Sequence, residues 1–404
     1  MKNILVVPCA TQVGVEQYHS LKYNKHFKLI GASHNDTDLL YKRFIKLTAS
    51  KEDPKFIQEL KQIIKQYGID AILPAHDDIQ YILKNEPELE AVVIGACKET
   101  VNICRFKSKT YEQLSSNYLL APKVPQWQKF VGFENFNTKL PFLKPDRGQG
   151  TRGSFLWSKA KEHLLLEGEY LQCEYLPGYE YTVECFTGIN GELSYANPRQ
   201  RTAITNGISE VAYITNDSLF YEIAKLINAT LKFNGAWFYQ MKRDSDLKLK
   251  FLEVGARIPG ASITSRLNGV NLTALTLYQH FGYKVDIMPQ KLVSYVKRQF
   301  PKYKLDYDTI FLDYDDTYVY VIDYLKTLDK QIIIITRNTG ILDLPYEIIR
   351  VGEKELKSDF INTQMQVNTM KPIFIDDSHK ERADVLQNCN IPCFAPEEVE
   401  YLNM

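Results

Sequence analysis

No stretch of this 404-residue chain approaches the ~20 consecutive apolar residues that span a bilayer. The opening Met1 to Val7 carries one lysine and a short apolar run ending at Pro8, too little for a secretory leader. Charge of either sign is not in excess: Lys plus Arg and Asp plus Glu number 49 each, so no basic field draws the chain to nucleic acid or anionic lipid. The seven cysteines are scattered and lack the paired CxxC spacing of a zinc site, which predicts reduced, mostly buried thiols. There is no internal repeat and no low-complexity tract. These absences leave a cytoplasmic protein acting on small molecules, with no nucleic-acid or membrane partner, as the expectation.

What is present is enough apolar sequence for several cores. Hydrophobic residues make up 45% and charged residues 24%, so the chain has no need of long disorder, and its length exceeds what one core usually serves. Asn3 to Val7 is a β-branched run of buried-strand type, followed by a helical stretch ending near Tyr23. Phe27 to Gly31, Ala71 to Leu73 and Ala91 to Ile94 repeat the strand signal. Between them Pro54 to Tyr67 has helical spacing, with proline in its first turn and Gly68 at its stop. Residues 1–100 therefore read as a small parallel α/β domain. From about Lys139 to Gly191 aromatic strands alternate with glycine turns, an α+β texture with antiparallel pairing. Residues 298–307, which include Arg298 to Tyr307, read as a linker, and Thr309 to Asp313, Gln331 to Thr336 and Pro372 to Asp376 as buried strands of a last domain over 308–404.

Chemistry concentrates first in Lys144-Pro145-Asp146-Arg147-Gly148-Gln149-Gly150-Thr151-Arg152-Gly153-Ser154. Glycines let backbone N–H groups approach phosphate oxygens, and lysine or arginine neutralises them. The segment matches neither the P-loop nor the dinucleotide fingerprint, and a glycine-rich hairpin would look similar. Order adds what the loop lacks: Arg105-Phe106-Lys107 opening a helix, then the loop, then Glu174-Tyr175-Leu176-Pro177-Gly178-Tyr179-Glu180, then Phe251-Leu252-Glu253-Val254-Gly255-Ala256-Arg257. In this ordered set, from Met1 to about Val296, the sequence resembles the ATP-grasp superfamily, nearest its carbamoyl-phosphate-synthase-like and L-amino acid ligase branches.

The resemblance implies a pre-ATP-grasp domain over 1–100 and an ATP-grasp domain over 101–297, with ATP and Mg²⁺ as cofactors. It implies that Lys107 and Lys144 hold ATP phosphates and that Gly148, Gly150 and Gly153 belong to a loop folding over them. Glu174, Tyr175 and Leu176 would border adenine, and Glu180 the ribose. Glu253 matches the second metal-holding carboxylate, whereas Gln240 stands where the first acid is often found and Gly255 replaces a frequent asparagine. Arg257 would lie near an acyl phosphate or substrate carboxylate. Arg199 and Arg201 sit between hinge and metal strand, and their forks suit carboxylate or phosphate. The implied reaction joins a carboxylate to an amine through an acyl phosphate, and a homodimer is compatible with it.

The second concentration is Thr309-Ile310-Phe311-Leu312-Asp313-Tyr314-Asp315-Asp316-Thr317, an apolar strand ending in clustered carboxylates that repel one another unless a cation lies among them. From Asp308 to Met404 the chain resembles the haloacid-dehalogenase (HAD) superfamily, which implies a Rossmann-like parallel sheet. By that resemblance Asp313 is the nucleophile, Asp315 the general acid and base, Thr336 a phosphate-binding hydroxyl, and Asp376 and Asp377, with Asp313 and Asp315, the metal site. Lys357 has the best spacing for the phosphate-steadying lysine, ahead of Lys354 and Lys371. About eighteen residues between Thr317 and Thr336 leave no room for a cap there. Two other classes stay open: a nucleotide-binding regulator with a degenerate ligase site, and a phosphatase whose first part selects its substrate.

Overall fold

The computed structural model describes residues 1–35, 40–148, 152–158, 166, 168–205, 208–290, 293–297 and 307–403. The chain forms two compact units, Met1–Arg298 and Gln299–Met404. No helix among the described residues is long and apolar enough to cross a membrane.

The first unit begins with a parallel sheet of β1 (Lys2–Val7), β2 (Phe27–Ser33), β3 (Phe44–Lys46), β4 (Ala71–Pro74) and β5 (Val92–Val93), in the order β3-β2-β1-β4-β5. The strand read over Ala91 to Ile94 pairs only at its two central residues. Crossovers run through α1 (Gln12–Leu21), α2 (Lys55–Tyr67) and α3 (Asp77–Asn85). In α2, Phe56, Leu60, Ile63 and Ile64 form one stripe against the sheet, each worth about 1.5–3 kcal/mol of burial. Gly68 ends it at φ 56°, a left-handed conformation that glycine adopts without strain. The C-terminal ends of β1 and β4 lie side by side and deliver Thr11 and His76 to one edge.

Helices α4 (Lys98–Cys104) and α5 (Lys107–Ser115) lead into a four-stranded antiparallel sheet of β6 (Trp127–Lys129), β7 (Phe142–Pro145), β8 (Phe155–Leu156) and β9 (Tyr170–Cys173), ordered β6-β9-β7-β8. Next come β10 (Glu180–Thr187), β11 (Leu193–Thr205), β12 (Ile208–Ile214), α6 (Ser218–Leu231), β13 (Gly235–Arg243), β14 (Leu249–Gly255), α7 (Ile263–Leu267), α8 (Leu272–His280) and β15 (Tyr295–Lys297). Their strands make a six-stranded antiparallel sheet, β14-β13-β10-β11-β12-β15. Period-two alternation sorts its faces: Tyr181, Val183, Cys185, Trp237, Tyr239 and Met241 pack with Phe220, Ile223 and Ile227 of α6. Residues between them in sequence face the other way.

The second unit is a parallel sheet of β16 (Thr309–Leu312), β17 (Gln331–Thr336), β18 (Glu347–Arg350), β19 (Pro372–Ile375) and β20 (Cys393–Phe394), ordered β18-β17-β16-β19-β20. Helices α9 (Tyr318–Leu325), α10 (Lys357–Val367) and α11 (His379–Cys389) cover it. Ile310, Leu312, Ile332 and Ile334 serve one core and Phe311, Ile333 and Ile335 the other, as strands buried on both faces require. Among the cysteines, Cys9, Cys173, Cys185 and Cys389 are buried, Cys104 and Cys393 half-buried and Cys97 exposed; all are free thiols.

Candidate functional site

The first site grows from the junction of β7 with α5. Phe106 precedes α5 and has no side chain able to cap it, so the cap comes from elsewhere: the buried Asp146 accepts from Ser108 N at 2.8 Å and from Ser108 Oγ at 2.6 Å. This ties the end of β7 to the start of the helix and brings Lys107 and Lys144 to the same cavity of about 150 Å³. Lys107 Nζ donates to the carbonyls of Pro145 at 3.0 Å and Asp146 at 3.4 Å. Lys144 Nζ donates to Tyr111 Oη at 2.5 Å, and that hydroxyl donates to Leu252 O at 2.9 Å, joining α5, β7 and β14. Burial lowers the Lys107 ammonium to about 8, with Glu253 opposing the shift and Lys144 adding to it.

The same cavity has apolar lining from Phe142, Tyr175, Leu176 and Leu252. Glu174, beside them, pairs with Lys250 at 3.4 Å. Glu180 pairs with Arg201 and, at 3.6 Å, with Lys242. Gly148 lines the cavity, and a Cβ there would rest in ordinary contact with Pro145, 3.4 Å away, and with Lys107 Nζ at 3.8 Å. Gly153, at φ 73°, is required as glycine, because a Cβ would stand 2.9 Å from Tyr170 Oη. Gly150 lies outside the described residues.

The polar face of the six-stranded sheet forms the floor. Glu253 is paired with Gln240, Gln240 with Thr182 and Thr182 with Arg199, one row across β14, β13, β10 and β11. Burial pushes the Glu253 carboxyl up, with Lys107 opposing it. Glu253 and the Gln240 amide oxygen are hard donors, few in number, which suits a magnesium ion that keeps several waters. The glycine at 255 has a packing cause: a Cβ there would lie 2.2 Å from the Phe238 ring. Arg257 lies over that ring, 5.1 Å from its centre. Arg199 donates to the buried Glu184 at 3.0 Å, and Glu184 also accepts from Thr264 at 3.2 Å and Ser265 at 2.5 Å.

Beyond this row lies a wider cavity of about 660 Å³, reaching the C-terminal edge of the parallel sheet. Pro145, Gly148, Arg152, Arg201, Gln240 and Glu253 border both cavities. Arg257 makes a bidentate pair with Asp77, both contacts 2.9 Å, and so holds that carboxyl below its usual range against the effect of burial. Asp78 accepts from Lys51 at 2.5 Å and Arg105 Nε at 2.7 Å, and Arg147 lies 3.5 Å away. Sequence reasoning missed Asp77, Asp78, Arg105, Tyr111 and Asp146. The signal for the first two was available, since His76-Asp77-Asp78 directly follows a buried strand. Nothing local marks Asp146 or Tyr111, whose partners are 38 and 141 residues away.

In the second unit, β16, β17 and β19 are adjacent and parallel, so their C-terminal ends gather Asp313, Thr336, Asp376 and Asp377 at one edge. Asp313, Asp376 and Asp377 each offer a carboxylate oxygen within 4.8 Å of the others. Lys357, buried at the start of α10, donates to Asp313 and Asp376 at 2.6 Å each. Burial raises the Asp313 carboxyl to about 6, opposed by Lys357. Asp315 lies outside the three-carboxylate group; it accepts from Thr336 Oγ1 at 3.4 Å and Asn338 Nδ2 at 2.8 Å.

Residues 167–299 match the family described as ATP-grasp in the biosynthetic pathway with Ter operon. No curated protein matches the chain. Among solved structures, N5-carboxyaminoimidazole synthetase of Staphylococcus aureus complexed with ADP is similar at 15% identity and TM-score 0.56, over 70% of this chain and 78% of that one. The L-amino acid ligase of Bacillus licheniformis aligns at 16% identity and TM-score 0.54, over 69% and 73%. The biotin carboxylase domain of Hydrogenobacter thermophilus 2-oxoglutarate carboxylase, in complex with MgADP, ADP and bicarbonate, aligns at 14% and 0.55, over 73% of each. The matched segment and the shared architecture agree that the Met1–Arg298 unit has the ATP-grasp fold.

Proposed function

We propose that the first unit is an ATP-dependent carboxylate–amine ligase. The observation that carries this reading is the convergence of Lys107 and Lys144, from separate segments, on one cavity that also has apolar lining and Glu253. Adenine fits against Tyr175 and Leu176, with Glu174 and Glu180 beside it, and the polyphosphate against the two ammonium groups and the loop of Gly148 and Gly153. Magnesium held by Glu253 and Gln240 would supply further charge neutralisation at the phosphates. A substrate carboxylate oxygen displaces ADP from the γ-phosphorus, and an amine then displaces phosphate from the acyl carbon with loss of one proton. Arg199, Arg201 and Arg257 line the wider cavity where that carboxylate would be oriented.

Similar solved structures named for ligase and carboxylase chemistry, two of them holding ADP, support the reading. The purified chain with ATP, Mg²⁺ and a panel of carboxylic and amino acids should release ADP in a substrate-dependent way. Lys144→Met should lower that rate by about 10²–10³. Absence of substrate-dependent ADP across the panel would overturn the proposal.

For the second unit the cluster of Asp313, Asp376, Asp377 and Lys357 favours a phosphomonoesterase. The three carboxylates fit a magnesium ion, which would screen an approaching phosphate. Asp313 attacks phosphorus and releases the alcohol, Asp315 supplies the leaving oxygen with a proton, and water then cleaves the aspartyl phosphate. The chain should hydrolyse p-nitrophenyl phosphate with Mg²⁺, and Asp313→Asn should abolish this while sparing ADP release; hydrolysis surviving in Asp313→Asn would contradict the assignment.

A further inference from the structure

The wider cavity of the first unit is more cationic than transfer of one phosphoryl group requires. At its end nearest the parallel sheet, the single carboxylate of Asp78 is shared among Lys51, Arg105 and Arg147. The neighbouring Asp77 is occupied by Arg257, and Glu52, which reaches Lys51 at 3.6 Å, is largely solvated. One carboxylate does not neutralise three cations, so the cluster keeps positive charge facing the cavity. Thr11, the N-cap of α1, and Gln12 and Val13 in its first turn line the same cavity, and the first turn of that ten-residue helix holds no acidic residue. Its positive end therefore adds to the field.

Across the cavity, Arg199 is 3% exposed, and while its Nε is bound to Glu184, its Nη1 is buried without an acceptor. A buried, unpaired donor of this kind is relieved when a ligand oxygen reaches it. Two anion-seeking regions thus stand in one cavity: Arg199 in the sheet floor, and the Lys51, Arg105 and Arg147 group with the α1 N-terminus at the far wall.

Resting on the ligase reading, we infer that the carboxylate substrate carries a second anionic group, a phosphate monoester, bound by Lys51 and its neighbours at the N-terminus of α1. A dianionic phosphate suits three cations and a helix end better than a second carboxylate, which brings half the charge. The ligated product is then itself a phosphomonoester, the class of compound that the second unit is proposed to hydrolyse.

The test uses the full chain saturated with Mg²⁺ and β,γ-methylene-ATP, titrated calorimetrically with phosphoserine and with serine. Phosphoserine should bind at least about tenfold more tightly than serine. Lys51→Ala, at a partly exposed side chain, should erase that preference, and Lys51→Arg should restore it. Equal affinities, binding of neither compound, or a preference untouched by Lys51→Ala would each overturn the inference while the nucleotide site stands. Failure of the ATP analogue itself to bind would overturn the ligase reading and this inference with it.

Discussion

At the scale of single residues, the first cavity holds two ammonium groups where water is scarce. Burial brings Lys107 to about 8, so it is mostly charged at neutral pH but loses its proton within an accessible range. The sign follows directly: a polyphosphate favours the charged form, so above pH 8 binding must first take up a proton, and affinity falls about tenfold per pH unit. Calorimetry of ATP-analogue binding from pH 7 to 9.5 should show constant affinity below 8, decline above it, and proton uptake on the declining limb. Lys107→Arg should move the decline out of range, because a guanidinium does not titrate there. Lys144 differs in having a hydroxyl partner, Tyr111, anchored in turn to Leu252. Such chains of buried polar groups fix a side chain's direction before a ligand arrives.

At the scale of elements, placement depends on ties between segments far apart in sequence. Asp146 caps α5 from the end of β7, and Asp146→Ala should cost about 1–2 kcal/mol in urea unfolding and weaken nucleotide binding as Lys107 loses its position. Unchanged affinity in that variant would show that the cap does not position the lysine. Several strands, and the helices α1 and α2, were legible because apolar period and turn residues are local signals, as in the β-branched run after Asn3 and the stripe of α2. The ordered set Lys107, Lys144, Glu174 and Glu253 was visible too, but not that Glu253, Gln240, Thr182 and Arg199 form one cross-strand row, since its register includes a pairing of Thr182 with Gln240, 58 residues apart. The departure at Gly255 reads in sequence as a missing ligand; in the fold it is the space the Phe238 ring occupies. Asp146 and Tyr111 carry no local mark, and their roles exist only once the segments meet.

At the scale of the whole molecule, the two units each hold one candidate site, across the polar face of an antiparallel sheet in the first and at the C-terminal edge of a parallel sheet in the second. In both, lysine and carboxylate side chains are held together in partly or fully buried positions. The central claim is that Lys107 and Lys144 grip one polyphosphate. A crystal structure of the chain with Mg²⁺ and β,γ-methylene-ATP tests it most directly. Both Nζ atoms should lie within about 3 Å of phosphate oxygens of the same nucleotide, with adenine against Tyr175 and Leu176. A nucleotide bound with either ammonium group turned away from its phosphates, or bound elsewhere in the first unit, would contradict the account.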